Sequence, residues 1–164
     1  MLINTEKEIT DFDEIDRVLS STRVCRIALF DGGWPYIVPM CFGYNLEGGK
    51  LELFFRCDEK GKKMDLIKNN SRAAFEIDKL REMVKGKESH YGFSEPYYQS
   101  ITGTGIIEVT TGIEKITGLD FIMKKYGERP GEVKLPEQFL NAFAVLKLTA
   151  GEFCCKEHNP FDTE

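Results

Sequence analysis

Two turns early in the chain decide most of what it can fold into. Asp31-Gly32-Gly33 separates the apolar run 23–30 from the run 34–44, and residues 45–49, ending in Gly48-Gly49, separate that run from 51–57. Connections this short close antiparallel neighbours, whereas a parallel neighbour needs a crossover of about a dozen residues, usually a helix. The three runs therefore predict an antiparallel meander. A fourth strand is predicted at 72–78, where Ala73, Phe75 and Ile77 share one face by the period of two. A long strand over about 97–110 and a last one at 144–149 complete the set. Six strands, most of them without crossover helices between them, predict a mainly β chain, a small barrel with short helices rather than a βαβ sheet.

The helices are fewer and shorter. Thr10 followed by Asp13 resembles a capping box with Asp in place of Glu, and Phe12, Ile15, Val18 and Leu19 then recur at helical spacing to about residue 21. A second helix begins near Gly61 and ends at Asn69-Asn70. A third carries Ile113, Ile116, Leu119, Ile122, Met123 and Tyr126 on one stripe. Residues 80–95 read as polar and irregular, 127–134 as a loop, and Pro136 as the opening residue of a short helix. Thr102-Gly103-Thr104-Gly105 leaves little side-chain bulk, which permits a bulge or a close approach by a ligand or partner.

A length of 164 residues suits one domain over 1–164, with a core over about 5–150 and a polar, loosely held tail at 151–164. The net charge of −5 argues against a nucleic-acid surface, which rests on broad positive charge. No apolar run approaches the ~20 residues that span a bilayer, and residues 1–11 lack the apolar stretch of a signal peptide, so a cytoplasmic location is expected. The five cysteines, Cys25, Cys41, Cys57, Cys154 and Cys155, are odd in number and follow no framework spacing, which predicts free thiols. Cys155-x-x-His158 beside Cys154 falls short of the roughly four ligands of a zinc site, and His90 is the one other histidine, so no metal is expected.

In this acidic chain the cations at Gly61-Lys62-Lys63 call for a reason. The first N–H groups of a helix point outward and carry partial positive charge, and cations placed there cost roughly 0.3–1 kcal/mol against the dipole. Lysines beside those donors make a place for a phosphate, so Lys62 and Lys63 predict a phosphorylated small ligand.

The order of segments carries a resemblance. Residues 24–28 (Val-Cys-Arg-Ile-Ala), Pro35 to Pro39 and on to Tyr44, Gly61-Lys62-Lys63-Met64-Asp65, and Tyr98-Gln99-Ser100-Ile101 follow one another as in the FMN-binding split barrel. The chain resembles pyridoxamine 5′-phosphate oxidase-like proteins, and their nitroimidazole-resistance (Nim) branch in particular, from about residue 5 to 150. That resemblance implies a six-stranded antiparallel split barrel and a homodimer with FMN in the subunit interface. It implies that backbone groups of Val38, Pro39, Met40, Cys41 and Phe42 contact the isoalloxazine edge. Cys57 would lie near the phosphate or ribityl chain, Lys62 and Lys63 would hold the phosphate, and Gln99 and Ser100 would line the cofactor. Micromolar affinity requires about 8 kcal/mol, which two charge-assisted contacts of roughly 1.5–3 kcal/mol each cannot supply; backbone donors and ring burial must add the rest.

Two positions depart from the branch. Arg56 stands where a histidine is common; its guanidinium is effectively always charged, so it is expected as an anion clamp or electrostatic partner of the flavin rather than a general acid, or else as one half of a surface salt bridge at a strand end. Cys41 stands at a position that is often polar, and a buried cysteine more often serves as a small hydrophobe than as a redox group. His90 is expected to be structural or at a rim rather than catalytic, and Tyr91, Phe93, Tyr97 and Tyr98 are expected as a cluster over the partner's flavin or in ordinary interface packing. The resemblance implies a flavin-dependent reductase of small electron-poor organic molecules. The competing expectation is a non-enzymatic flavin- or haem-binding dimer acting as sensor, carrier or store. Pyridoxamine phosphate oxidation itself is weaker, because no Trp and Arg pair follows residue 150 and the single tryptophan is Trp34.

Overall fold

A computed structural model describes residues 8–85, 92–127 and 140–161. The elements run β1 (Glu8–Ile9), α1 (Phe12–Ser21), β2 (Val24–Asp31), β3 (Trp34–Cys41), β4 (Gly43–Glu47), β5 (Lys50–Cys57), α2 (Lys62–Asn69), β6 (Arg72–Val84), β7 (Glu95–Val109), α3 (Gly112–Lys125) and β8 (Ala144–His158). The strands form one antiparallel sheet in the order β3-β2-β6-β7-β8-β5-β4, with β1 added to β8. The expected mainly β, antiparallel architecture holds, with eight strands among the described residues where six were expected.

Both extra strands have a local cause. The run 34–44 breaks at Phe42, whose side chain is fully buried in the core. Gly43 then opens β4 directly under α3, where an added Cβ would meet the backbone N of Ile122 at 2.3 Å. The strand β1 pairs Glu8 with Lys156 and Ile9 with Cys155. That pairing is possible because β8 continues to His158, so 151–158 belongs to the sheet rather than to a loose tail. The segment expected to be irregular from residue 80 likewise stays in β6 to Val84, paired with β7 through an irregularity between Leu80 and Glu82.

The alternation of each strand sorts its side chains. Cys25, Ile27 and Leu29 of β2, Leu51, Leu53 and Phe55 of β5, and Ala73, Phe75 and Ile77 of β6 all face one core. Burying a large apolar side chain contributes about 1.5–3 kcal/mol, so this shared interior is what curls the sheet. Ile15, Val18 and Leu19 of α1 join that core, while Phe12 stays half exposed. The cap of α1 is Asp11 rather than Thr10: its carboxylate accepts from the Glu14 N–H at 3.0 Å. In β7 the glycines serve the neighbouring strand, with a register shift at Thr104/Gly105 and Thr149 O only 2.2 Å from where a Gly105 Cβ would sit. A second, smaller cluster of Leu119, Met123, Phe143 and Val145 fixes α3 on the start of β8. Among the described residues no helix is long and apolar enough to cross a membrane. His90, Tyr91 and the expected helix at Pro136 lie outside the described residues.

Candidate functional site

The sheet order leaves β3 at one edge, bonded to β2 alone. Alternate N–H and C=O groups of an edge strand point away from its one partner and remain available to a ligand. Where β3 ends, it faces the end of β5 across a cleft of about 540 Å³ lined by Val38, Pro39, Met40, Cys41, Arg56, Cys57, Asp58, Lys63, Ala142 and Phe143. That volume lies within the roughly 300–1,000 Å³ of small-molecule sites. Seven of the expected residues therefore share one wall system. Asp58, Ala142 and Phe143 were not anticipated. Asp58 follows Cys57 directly, but the turn before β8 carries no local signal of its place beside β5.

The two lysines part company. Gly61 caps α2 at φ +120°, a backbone conformation that favours glycine, and no side chain caps the helix. The helix start thus presents backbone donors, and Lys63 lines the cleft beside it. Lys62 turns the other way: its Nζ pairs with Asp31 at 2.5 Å, in the hairpin between β2 and β3, and stands 5.2 Å from the Tyr36 ring centroid. The helix ends at Asn70, whose side-chain oxygen accepts from the Arg72 N–H at 3.0 Å and turns the chain into β6.

Charge in the cleft is set by Arg56 and Lys63 against Asp58. The Arg56 guanidinium lies 5.5 Å from the Phe143 ring centroid, and among the described residues it forms no ion pair. Burial pushes the Cys57 thiol up, Lys63 opposes that shift, and Asp58 reinforces it. The thiol touches Met64 Sδ at 3.8 Å, so Cys57 is a protonated, half-buried wall group. Cys41 is exposed at the end of β3. The Phe42 ring sits in the core rather than in the cleft, with the Lys125 ammonium 4.3 Å from its centroid, so only its backbone could reach a ligand there.

Gln99 and Ser100 do not join the cleft within one chain. Gln99 is buried, accepts from Arg81 Nε at 3.1 Å and donates to Glu157 at 3.0 Å, while Ser100 pairs in register with Asp78 and Lys156. Tyr97 donates to the same Glu157 oxygen at 2.9 Å, and the Tyr98 ring tilts against His158 at 5.6 Å. Phe93 is exposed. Cys154 and Cys155 lie on β8, and among the described residues no three His, Cys, Asp or Glu gather as metal ligands.

The donor set fits a flavin phosphate: a lysine beside uncapped helix N–H groups, an edge strand for a ring, and a second cation further along. The chain is similar to known proteins both in sequence and in fold. The sequence matches the family described as pyridoxamine 5′-phosphate oxidase over residues 11–156. A candidate 5-nitroimidazole antibiotic resistance protein from Bacteroides thetaiotaomicron superposes with a TM-score of 0.75 at 20% identity, over 92% of this chain and 86% of that one. A FAD and haem binding protein from Mycobacterium smegmatis gives 0.78 at 24% identity, over 97% of this chain and 77% of that one. The flavocytochrome Anf3 from Azotobacter vinelandii gives 0.72 at 20% identity, over 95% and 72%. At these identities the likeness establishes the fold. No curated protein matches the chain.

Proposed function

The chain belongs to the pyridoxamine 5′-phosphate oxidase family, and on that footing we propose that it binds FMN in the β3–β5 cleft and reduces small electron-poor organic molecules. The observation that carries this reading is the convergence of Val38 to Cys41, Arg56, Cys57 and Lys63, distant in sequence, on one cleft beside the start of α2. Lys63 and the helix donors hold the phosphate, and the free edge of β3 meets the ring. FMN, when bound, supplies hydride or electron transfer. Arg56 sets a permanent positive charge beside the ring, which favours the added negative charge of reduction.

The functional unit in this reading is a homodimer with FMN at the interface. Gln99 and Ser100 lie away from the cleft in their own chain and would line the partner's cofactor. A groove of about 1170 Å³ across the outer sheet face supports a partner there, floored by Ala28, Ala74 and Gly105 and edged by Phe30, Trp34 and Ile106. Trp34 is 83% exposed, an unusual position for a large aromatic without a partner.

A second reading, a passive flavin-binding dimer, is favoured by one feature of the lining: among the described residues it holds no histidine to move a proton near neutral pH. The visible spectrum of the purified protein, before and after supplying FMN, tests flavin binding: a bound-flavin band is expected, and its absence after reconstitution contradicts both readings. Turnover of NAD(P)H with a nitroaromatic acceptor separates them, since a passive binder shows none.

A further inference from the structure

Ala142 and Phe143 close part of the cleft, and a side chain outside the cleft holds the turn they belong to. Lys115, in the first turn of α3, donates from Nζ to the carbonyl oxygens of Leu140 at 2.7 Å and Phe143 at 2.6 Å. The same ammonium stands 5.1 Å from the Phe143 ring centroid, and Arg56 approaches that ring at 5.5 Å. A cation in the first turn of a helix opposes the helix dipole, so this placement carries a local cost that its two carbonyl contacts offset.

The ring itself is not free to drift. Phe143 is 7% exposed and packs with Leu119, Met123 and Val145. Arg56, by contrast, is an exposed, long side chain at the end of β5, and its one described contact of this kind is the ring. Its place in the cleft is therefore inherited from Phe143, and the place of Phe143 from that packing together with the turn.

We propose that Lys115 is a positioning residue of the cleft: by clamping the Leu140 and Phe143 carbonyls it sets the ring on which the Arg56 guanidinium rests. The placement stands on this geometry alone; its effect on cofactor affinity rests on the flavin reading above. Lys115 does not line the cleft and acts through Phe143 and Arg56.

The test uses the full chain with Lys115→Met and Lys115→Arg. In the cofactor-free protein the Arg56 side-chain NMR shifts carry the ring current of Phe143; Lys115→Met moves them to the values of a solvated arginine, and Lys115→Arg restores them. With FMN added, Lys115→Met weakens binding by about tenfold, and Arg56→Gln adds little in that background because both changes remove one interaction. Unmoved Arg56 shifts in folded Lys115→Met overturn the proposal, and so do fully additive losses of FMN affinity. If the parent protein binds no flavin while the shifts still move, the flavin reading fails and the positioning role stands. Should Lys115→Met not fold, Lys115→Gln, which keeps a donor and removes the charge, takes the same measurements with the same two outcomes.

Discussion

Replacing the two lysines of α2 one at a time separates a phosphate site from a charged helix start. Lys63 lines the cleft, whereas Lys62 is committed to Asp31 at 2.5 Å on the hairpin side. A charge-assisted hydrogen bond contributes roughly 1.5–3 kcal/mol, and about 1.4 kcal/mol is tenfold in affinity, so Lys63→Ala should weaken FMN binding by roughly 10- to 150-fold. Lys62→Ala removes only an exposed pair and should change affinity by less than about threefold. Quenching of FMN fluorescence by apoprotein, titrated at fixed ionic strength, reads both. Riboflavin, which has the ring but no phosphate, supplies the control: Lys63→Ala should leave its affinity unchanged. Equal losses for the two variants, or a matching loss for riboflavin, would refute the assignment of Lys63 to the phosphate.

Gly43→Ala should destabilise the fold by about 3 kcal/mol, because its Cβ would meet α3 backbone at Ile122 N, 2.3 Å away, rather than a movable side-chain tip; a thermal midpoint within a degree of the parent would contradict this packing. Burial pushes the Cys25 thiol from 9.0 up to about 12, so above pH 9 the native state keeps a proton that the unfolded chain releases, and stability is lost as pH rises toward 12. Urea midpoints of the parent should therefore fall relative to Cys25→Val between pH 8 and 11; a constant difference argues against a protonated core thiol. Iodoacetamide should label exposed Cys41 well before buried Cys25 and Cys155, and FMN should protect Cys41 and Cys57, as peptide mass spectrometry would show. Labelling of Cys41 at the same rate with and without FMN would place the flavin elsewhere.

The architecture was legible because the turns at Gly32-Gly33 and Gly48-Gly49 are too short for anything but hairpins, and because Ala73, Phe75 and Ile77 mark their buried face by simple alternation. What escaped were features that depend on a third element. Phe42 reads as one more residue of a continuous apolar strand; only the core beneath it and α3 over Gly43 turn that run into two strands. Residues 151–158 are polar and read as a tail, yet their backbone completes ladders with β7 and β1, and backbone pairing leaves little trace in residue type. The cleft was half legible. The residues along β3, β5 and α2 followed from segment order, but the division between Lys62 and Lys63 is decided by Asp31. The second wall comes from Ala142 and Phe143 on a turn far away in sequence, and Lys115 matters only because α3 passes that turn.

A crystal structure of the FMN-reconstituted protein tests the central claim most directly. It should show the phosphate at Lys63 and the first N–H groups of α2, with the ring along Val38 to Cys41 and Arg56 at its edge. A flavin seated instead in the groove over β2, β6, β7 and β8, away from Lys63, would contradict it.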